Sequence, residues 1–449
     1  MRTVIVGAGP TGLFTAIALA RRGHDVAVVD RDMGPQPDGT WDRAGVMQFH
    51  HPHAFRAQVV DALAAEAPEV LAALVAAGAE LVAMPGPPDA PPRTAGLRCR
   101  RLVFERHLRA AATAEPGVTL VRGHADEVLS DRGRAVGVRV DGRRLDADLV
   151  LDASGRSGRL GRDRRPPVEG GDCGQAYVSR QYRLRPGAEF AAMTMPLADI
   201  AYFPGYAVIA FPHDNGVFST VIMRSGDDRE LVGLRETAAF EAAATAVPLL
   251  AAWTAPDRAR PITRVLPGGR LYNTYCGQLD AHGAVPLPGL VFVGDTVCTT
   301  NPSAGRGVTT SLTQVRHLLA LLDDGPDDAE TTTRSFDAWC ATAIRPWFDD
   351  HLRCDAGLAA RWAGHDVDHT APLPPDLIAA AAEVDPSMMR VVGPYLGMDA
   401  LPSTLDEVEP RAREIYATGW RPSVPDGPSR DELAELVART AGRAPAAVP

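Results

Sequence analysis

Lysine is absent from this sequence of 449 residues, and all 46 basic residues are arginine. Reactions that need a lysine, such as Schiff-base catalysis or phosphate binding by a P-loop lysine, are therefore excluded. Cysteine is scarce, and the six cysteines form neither a C-x-x-C pair nor a Cys/His zinc spacing. Their scatter excludes a disulfide-dense secreted scaffold and predicts reduced thiols.

The sequence also lacks a long apolar run and an excess of positive charge. No uninterrupted apolar stretch approaches the ~20 residues of a membrane span, and the first residues lack the pattern of a signal peptide. The formal net charge of -10 argues against nucleic acid or an anionic membrane as a partner. With 45% hydrophobic and 23% charged residues, the composition is typical of a globular protein with two or three lobes. We expect a cytoplasmic location.

Residues 2–30 have the pattern of a strand, a glycine turn, a helix and a second strand. In the hexapeptide GAGPTG, Gly7 permits a tight turn, Gly9 lets a pyrophosphate approach the backbone, and Gly12 allows close helix–strand packing. The free N–H groups at the start of the helix can bind phosphate. Asp30 ends the second strand, where a carboxylate accepts hydrogen bonds from a ribose diol and disfavours a 2′-phosphate. This segment therefore predicts FAD or NAD rather than NADP.

A second glycine motif follows a later apolar strand. Asp295 ends the stretch LVFVGD, and Pro302, Gly305 and Gly307 then lead into a helix. The Asp295 carboxylate can accept a hydrogen bond from a ribityl hydroxyl. The start of the helix can face the pyrimidine edge of a flavin, where negative charge accumulates on reduction. The two motifs together favour FAD over NAD.

Hydrophobic periodicity predicts an α/β fold with a Rossmann-type FAD-binding domain, an inserted β-sheet substrate domain and a helical C-terminal region. Eight aromatic residues lie between positions 175 and 220, where the period changes to two, as in an antiparallel sheet. The predicted boundaries are 1–83, 97–165 and 285–326 for the FAD-binding domain, 166–284 for the substrate domain, 84–96 for a proline-rich excursion, and 327–449 for the helical region. The candidate pocket-wall residues are Tyr182, Tyr202, Phe203, Phe211 and Phe218.

The order of these motifs resembles that of the flavin monooxygenases of the para-hydroxybenzoate hydroxylase fold. It is most similar to the actinobacterial olefin epoxidases that act on polyether precursors, whose late motif reads much like GDTVCTTNPSAGRG. The segments RAGV, RLVFERHLR and LDASGRS add to the resemblance. The resemblance implies that Arg43 meets the flavin nucleotide, with Gln48 close by, and that Arg101 binds the FAD phosphates. The complete set of predicted FAD contacts is Gly7, Gly9, Gly12, Asp30, Arg31, Arg43, Gln48, Arg101, Asp295, Pro302, Gly305 and Gly307.

The resemblance also implies a reaction. Such enzymes use reduced FAD and O2 to form a C4a-hydroperoxide and insert one oxygen atom into an apolar small molecule. We therefore predict olefin epoxidation or aromatic hydroxylation in secondary metabolism, with no catalytic side chain assigned. NAD(P)H would be the ultimate electron donor. Self-sufficient relatives usually carry Asp-Gly where this chain has Ser154-Gly155, which favours electron delivery by a separate flavin reductase.

Five other interpretations apply to the whole chain or to single segments of it. Reductases of prenyl or polyene double bonds share the fold and form the alternative function. Flavin-dependent halogenases relay hypohalous acid through a lysine, which this chain lacks. A flavin-binding protein without catalytic activity would hold FAD but show no substrate-dependent reoxidation. The segment from His50 to His53 has no clustered carboxylates and predicts no metal site, and Cys298 is expected to be a buried thiol rather than a covalent flavin tether.

Overall fold

A five-stranded parallel sheet forms the core of the N-terminal lobe. The computed structural model describes residues 1–43, 45–84, 93–325 and 328–442. Strand Arg2–Val6 lies at the centre, and its residues pair in parallel register with both neighbours. Most residues of these strands are apolar and buried, because the helix Pro10–Arg21 packs against the sheet and the strands Arg134–Val140 and Arg143–Asp146 of a smaller sheet also contact it. In spatial order the strands are Leu290–Phe292, Leu149–Asp152, Arg2–Val6, Asp25–Asp30 and Val118–Arg122.

Five helices contribute to the same hydrophobic core as this parallel sheet. Pro68 interrupts the Ala-rich stretch after residue 57, as its missing N–H predicts, and so divides it into two helices. The segment RLVFERHLR lies in a helix that begins at Arg101. The five helices are Pro10–Arg21, Ala57–Glu66, Pro68–Ala76, Arg101–Ala114 and Gly307–Asp323.

An antiparallel sheet is inserted in the chain between the parallel strands Leu149–Asp152 and Leu290–Phe292, as the period of two predicts. One of its faces packs against the helices Thr237–Ala246, Pro248–Thr254 and Arg430–Thr440. The other face carries a separate apolar cluster that includes Phe211 and Leu271. In spatial order the strands are Asp199–Phe203, Tyr206–Pro212, Val217–Ser225, Gln175–Leu184 and Ala259–Pro261, with Leu266–Gly268 also paired to the fourth of these.

Three small sheets join the larger elements. Part of the predicted excursion at 84–96 is strand, since residues 93–96 belong to Arg93–Arg98, and residues 85–92 lie outside the described residues. The strands of the small sheets are Phe55–Arg56, Arg93–Arg98 and Glu80–Met84; Ala125–Asp131, Arg134–Val140 and Arg143–Asp146; and Glu169–Asp172, Tyr272–Tyr275 and Cys298–Thr299.

The C-terminal region is helical, and most of its helices share a core of their own. The helix Arg430–Thr440 instead joins the helices of the inserted sheet. Within the described ranges, no helix is long and apolar enough to cross a membrane. The other C-terminal helices are Ala329–Ala343, Arg345–Trp362, Pro375–Ala380, Met389–Gly397 and Glu409–Ala417. Short 3-10 helices occupy Met47–His50, Arg162–Arg164, Asp214–Gly216, Glu230–Arg235, Gly294–Thr296, Pro302–Ala304, Ala381–Glu383, Pro386–Met388 and Pro402–Glu407.

This architecture confirms the predicted α/β fold with an inserted antiparallel sheet and a helical C-terminal region.

Candidate cofactor and substrate site

A cavity of about 350 Å³ lies at the carboxyl ends of the parallel strands. This is where ligands bind in open parallel sheets, because the loops after the strands converge there. Gly12 and Arg31 lie off the cavity. The predicted contacts that line it are Gly7, Gly9, Asp30, Arg43, Gln48, Arg101, Asp295, Pro302, Gly305 and Gly307.

The first glycine motif leaves room for a ligand at one position only. Gly7 has a φ of +108°, and a Cβ there would lie 2.4 Å from the carbonyl oxygen of Ala153. A Cβ on Gly12 would lie 1.9 Å from the carbonyl oxygen of Gly7, so Gly12 serves packing. A Cβ on Gly9 would meet only an Arg43 nitrogen at 4.0 Å. The space beside Gly9 is thus open, at the start of the helix Pro10–Arg21, which has no side-chain cap. This cradle fits a pyrophosphate.

A buried ion cluster holds Asp30 in place. Asp30 Oδ2 accepts hydrogen bonds from the Ala8 N–H at 2.6 Å and from Arg43 Nη2 at 2.8 Å. Arg43 also donates to Glu105 Oε2 at 2.5 Å, and Glu105 is fully buried. The carboxylates compensate the charge of Arg43, which is only 6% exposed. Arg43 therefore orients the acid that would bind the ribose, besides lining the cavity.

Arg101 is held between an acid and a neutral histidine. Its Nε donates to Glu105 Oε1, and its Nη1 lies 3.4 Å from His53 Nε2. His53 Nδ1 lies 3.0 Å from the carbonyl oxygen of His51, a contact that assigns the ring proton to Nδ1 and leaves the Nε2 lone pair for Arg101. Burial lowers the pKa of His53 well below its ordinary value, so the ring is neutral.

Sequence reasoning gave Glu105 no role, although the signal was present. Arg101 and Glu105 are four residues apart, a spacing that places them on one face of a helix. Nothing in the sequence indicates the second partner of Glu105, which is Arg43 and lies far away in the chain.

Histidines of the segment from His50 to His53 form hydrogen bonds within the protein. His51 Nδ1 is 2.8 Å from Ser179 Oγ, and burial lowers the pKa of His51 to about 4. Among the described residues, no group of three or more His, Cys, Asp or Glu side chains is placed to hold a metal ion.

The late motif forms the opposite side of the cavity. Asp295 is exposed there, and a Cβ on Gly307 would lie 4.0 Å from its Oδ1. Gly305 adopts a φ of +63°, and a Cβ there would approach Ala54 at 3.1 Å. Cys298 is fully buried, and burial raises the pKa of its thiol. The acid, the two glycines and the start of the helix Gly307–Asp323 are a donor and acceptor set that fits the ribityl chain and ring of FAD.

The middle motif reaches the cavity through residues 153–157. The N–H of Ser154 donates to Asp152 Oδ1 at 2.9 Å, and the Ser154 hydroxyl donates to the same oxygen. Burial raises the pKa of Asp152, which is 2% exposed. Ser154 is therefore engaged with the carboxylate that ends the strand Leu149–Asp152.

The predicted aromatic wall divides between the two faces of the inserted sheet. Phe211 lines the cavity together with Leu271 and Tyr272. Tyr202 is 46% exposed and lies off the cavity lining. The remaining three candidates pack in the core on the opposite face, under the helices, because successive strand residues alternate between faces. These three are Tyr182, Phe203 and Phe218.

Two family models and several curated proteins match parts of the sequence. Residues 2–86 match the FAD dependent oxidoreductase family, and residues 47–163 match the tryptophan halogenase family. The digeranylgeranylglycerophospholipid reductase 2 of Methanopyrus kandleri is 26% identical over 337 residues, which span 69% of this chain and 73% of the relative.

Solved structures match over most of the chain. The flavin-dependent brominase Bmp2 has a TM-score of 0.63 at 14% identity, over 94% of this chain and 100% of the other. PqsL of Pseudomonas aeruginosa, a probable FAD-dependent monooxygenase, has a TM-score of 0.59 at 17% identity, over 81% of this chain and 98% of the other. With the match of the N-terminal segment, these likenesses show that the chain has the flavoprotein fold of FAD-dependent oxidoreductases.

Proposed function

We propose that the protein is an FAD-dependent monooxygenase that inserts one oxygen atom from O2 into an apolar small molecule. The observation that carries this proposal is the composition of the cavity. Its lining passes from the glycine backbone and arginine side chains of the nucleotide loops to the apolar side chains of Phe211, in the inserted sheet, and Leu271, which packs in the same apolar cluster. A cofactor held by the first wall would thus lie beside a substrate held by the second.

The polar wall would hold FAD. Gly9 and the start of the first helix would receive the pyrophosphate, Asp30 the ribose, and Asp295 the ribityl chain. Arg101 would add a cation for the phosphates. When bound, FAD supplies two-electron redox chemistry and activates O2.

The apolar wall would orient the substrate and exclude water. Phe211 and Leu271 belong to a cluster whose other members come from three strands of the inserted sheet. These members are Tyr177, Ala207, Ile209, Val221 and Met223. An olefin suits this environment, since its epoxidation needs no deprotonating side chain. We therefore place epoxidation of a polyene, as in the polyether-type epoxidases, ahead of hydroxylation of a ring.

A separate flavin reductase would supply the electrons. Ser154 occupies the position where self-sufficient relatives carry an acid, and its hydroxyl binds Asp152. Anaerobic stopped-flow mixing of the FAD-loaded protein with NADPH tests this arrangement. We expect slow bleaching of the flavin with NADPH alone and fast bleaching when a flavin reductase is added. Rapid stoichiometric bleaching by NADPH alone would show a self-sufficient enzyme.

A reductase of prenyl or polyene double bonds is the second candidate. The curated relative of Methanopyrus kandleri is a reductase by name and covers more than two thirds of this chain. Halogenases share the fold, but the lysine that their chemistry requires is absent from this sequence.

One experiment separates these functions. The FAD-loaded protein, a flavin reductase and NADPH are incubated with a panel of polyenes and phenols under 18O2, and products are analysed by mass spectrometry. We expect products heavier by one 18O atom, and none without O2. Products heavier by two hydrogens in the absence of O2 would establish the reductase instead. Phe211→Ala is expected to slow turnover, whereas Phe203→Leu, on the other face of the sheet, is expected to leave it within about twofold of wild type.

A further inference from the structure

The loop of residues 299–307 has two sides. Pro302 and Gly305 face the cavity. Asn301 and Arg306 lie outside the cavity lining and are 0% and 5% exposed, so their polar groups are buried in the protein. Both side chains meet the same C-terminal helix, Arg345–Trp362.

The first meeting point is a network of three amides around one carboxylate. Asp355 Oδ1 accepts from Asn301 Nδ2 at 2.9 Å and from Gln175 Nε2 at 2.9 Å. Asp355 Oδ2 accepts from Asn273 Nδ2 at 2.6 Å. The network closes on the loop, because Asn301 Nδ2 also donates to Gln175 Oε1 and the Asn301 N–H donates to Asn273 Oδ1.

The second contact between the loop and the helix is made by Asp350, five residues before Asp355. Arg306 Nη1 donates to Asp350, which is fully buried. Arg306 Nη2 donates to Tyr395 Oη at 3.0 Å, and the Tyr395 hydroxyl donates to Asp350 Oδ2 at 3.1 Å. The Arg306 guanidinium also lies over the Trp347 ring, 4.6 Å from its centroid. The loop is thus held near each of its ends.

We propose that Asp350 and Asp355 are positioning residues, which fix the loop of residues 299–307 in the conformation that receives the flavin ring. This inference rests on the proposed binding of FAD. It gives the helix Arg345–Trp362 a function in the flavin site, although the helix binds the loop through Asn301 and Arg306, which lie outside the cavity lining.

The free-energy cost of burying Asp355 supports a positioning role for this carboxylate. Asp355 is 8% exposed and has no cation within 4 Å in the described part of the chain, so only neutral amides stabilise its charge. Burial raises its pKa even though three hydrogen bonds lower it. Apolar residues in place of the whole network would fill this space at a lower cost in free energy, whereas the carboxylate with its three amides specifies one arrangement of the partners.

The amide network offers an exchange experiment. In Asp355→Asn an acceptor is lost, and whichever way the new amide is turned, one N–H group faces another. In the double variant Asp355→Asn with Asn301→Asp, the acid and the amide exchange places. Rotation of the Gln175 amide then restores every hydrogen bond. The exposed neighbour Asp349→Asn, on the same helix, is the matched control.

Three quantities are measured on each variant: the FAD dissociation constant, the visible circular dichroism of bound FAD and its reduction potential. We expect Asp355→Asn to raise the dissociation constant about tenfold or more and to alter the dichroism and the potential. We expect the double variant to recover most of the change in all three quantities, and Asp349→Asn to behave as wild type. If Asp355→Asn does not fold, Asp350→Asn is read in the same way.

Two results would count against the inference, and they can be told apart. If the wild-type protein binds no FAD, the proposed function fails and the inference fails with it. If the wild type binds FAD and Asp355→Asn lowers only the melting temperature, with unchanged dichroism and potential, then the carboxylate is merely structural.

Discussion

Arg101 illustrates how single side chains set the charge of the cavity. Its guanidinium is 15% exposed and is oriented by Glu105 and by the neutral ring of His53. We expect Arg101→Gln to raise the FAD dissociation constant by about tenfold or more, because a charge-assisted contact to phosphate is lost. Flavin fluorescence quenching measures this change. Arg106→Gln, on the same helix but away from the cavity lining, serves as the control, and equal affinities in both variants would mean that Arg101 does not contact the cofactor.

Tyr177 and Tyr182 form a matched pair of buried tyrosines on one strand. Among the described residues the Tyr177 hydroxyl has no hydrogen-bond partner, whereas the Tyr182 hydroxyl donates to Glu241 at 2.5 Å. We expect Tyr177→Phe to leave the free energy of unfolding unchanged or raised by up to about 1 kcal/mol, and Tyr182→Phe to lower it by about 1–2 kcal/mol. Urea unfolding provides the comparison. An equal loss in both variants would indicate that Tyr177 has a partner in solution, such as water.

Individual residues could be predicted from the sequence when their role is local. Gly7, Gly9 and Asp30 belong to one short β-α-β unit, and the structure places all three at the cavity. The ion cluster could not be predicted in this way. Arg43 pairs with Glu105 through tertiary packing, and no local spacing records that contact.

At the level of elements, the close contact between the first strand and the first helix depends on Gly12. A Cβ there would lie 1.9 Å from the Gly7 carbonyl oxygen, a backbone atom that cannot move without disturbing the glycine turn. We expect Gly12→Ala to yield little folded protein and no FAD uptake, as judged by circular dichroism and flavin absorbance. Gly23→Ala is the control, because its φ of +81° costs only about 1 kcal/mol and its Cβ would meet open space. A stable Gly12→Ala variant that binds FAD would contradict this packing.

The strands of the inserted sheet could be predicted from the sequence. Which of their residues face the cavity and which face the helices could not. The strand Tyr206–Pro212 is buried at every position, because one face packs against helices and the other packs in the apolar cluster that contains Leu271. An alternating polar side would have revealed the phase, and none exists. For this reason the sequence predicts Phe218 and Phe211 on the same wall, whereas the structure places them on opposite faces.

For the molecule as a whole, three buried histidines make stability depend on pH. His51, His213 and His351 are at most 5% exposed. Burial lowers the pKa of His51 to about 4, that of His213 to about 3, and that of His351 well below its ordinary value. Below pH ~6.5 the unfolded chain therefore binds protons that the folded chain does not. As the pH is lowered below ~6.5, the free energy of unfolding should therefore decrease by about 1.4 kcal/mol per pH unit for each histidine.

A variant comparison isolates one of these histidines from the buried carboxyls Asp152 and Asp355, whose raised pKa acts with the opposite sign. We expect His213→Gln to lose about 2 kcal/mol less than wild type between pH 7.5 and pH 5 in urea unfolding. The exposed His282→Gln should show the wild-type loss. If the free energy of unfolding of His213→Gln depended on pH as that of the wild type does, His213 would bind its proton over the same pH range in the folded protein as in the unfolded chain.

The order of strands in the parallel sheet has a consequence for biosynthesis. Leu290–Phe292 pairs with Leu149–Asp152, and the whole inserted sheet lies between them in the chain. While the ribosome synthesises that insertion, the edge of Leu149–Asp152 has no partner, and an unpaired apolar edge invites aggregation or the binding of chaperones. The loop that follows Leu290–Phe292 emerges later still. The nascent chain therefore completes its parallel sheet and the proposed cofactor cradle only after the inserted sheet has been made, so the binding of FAD would follow that step.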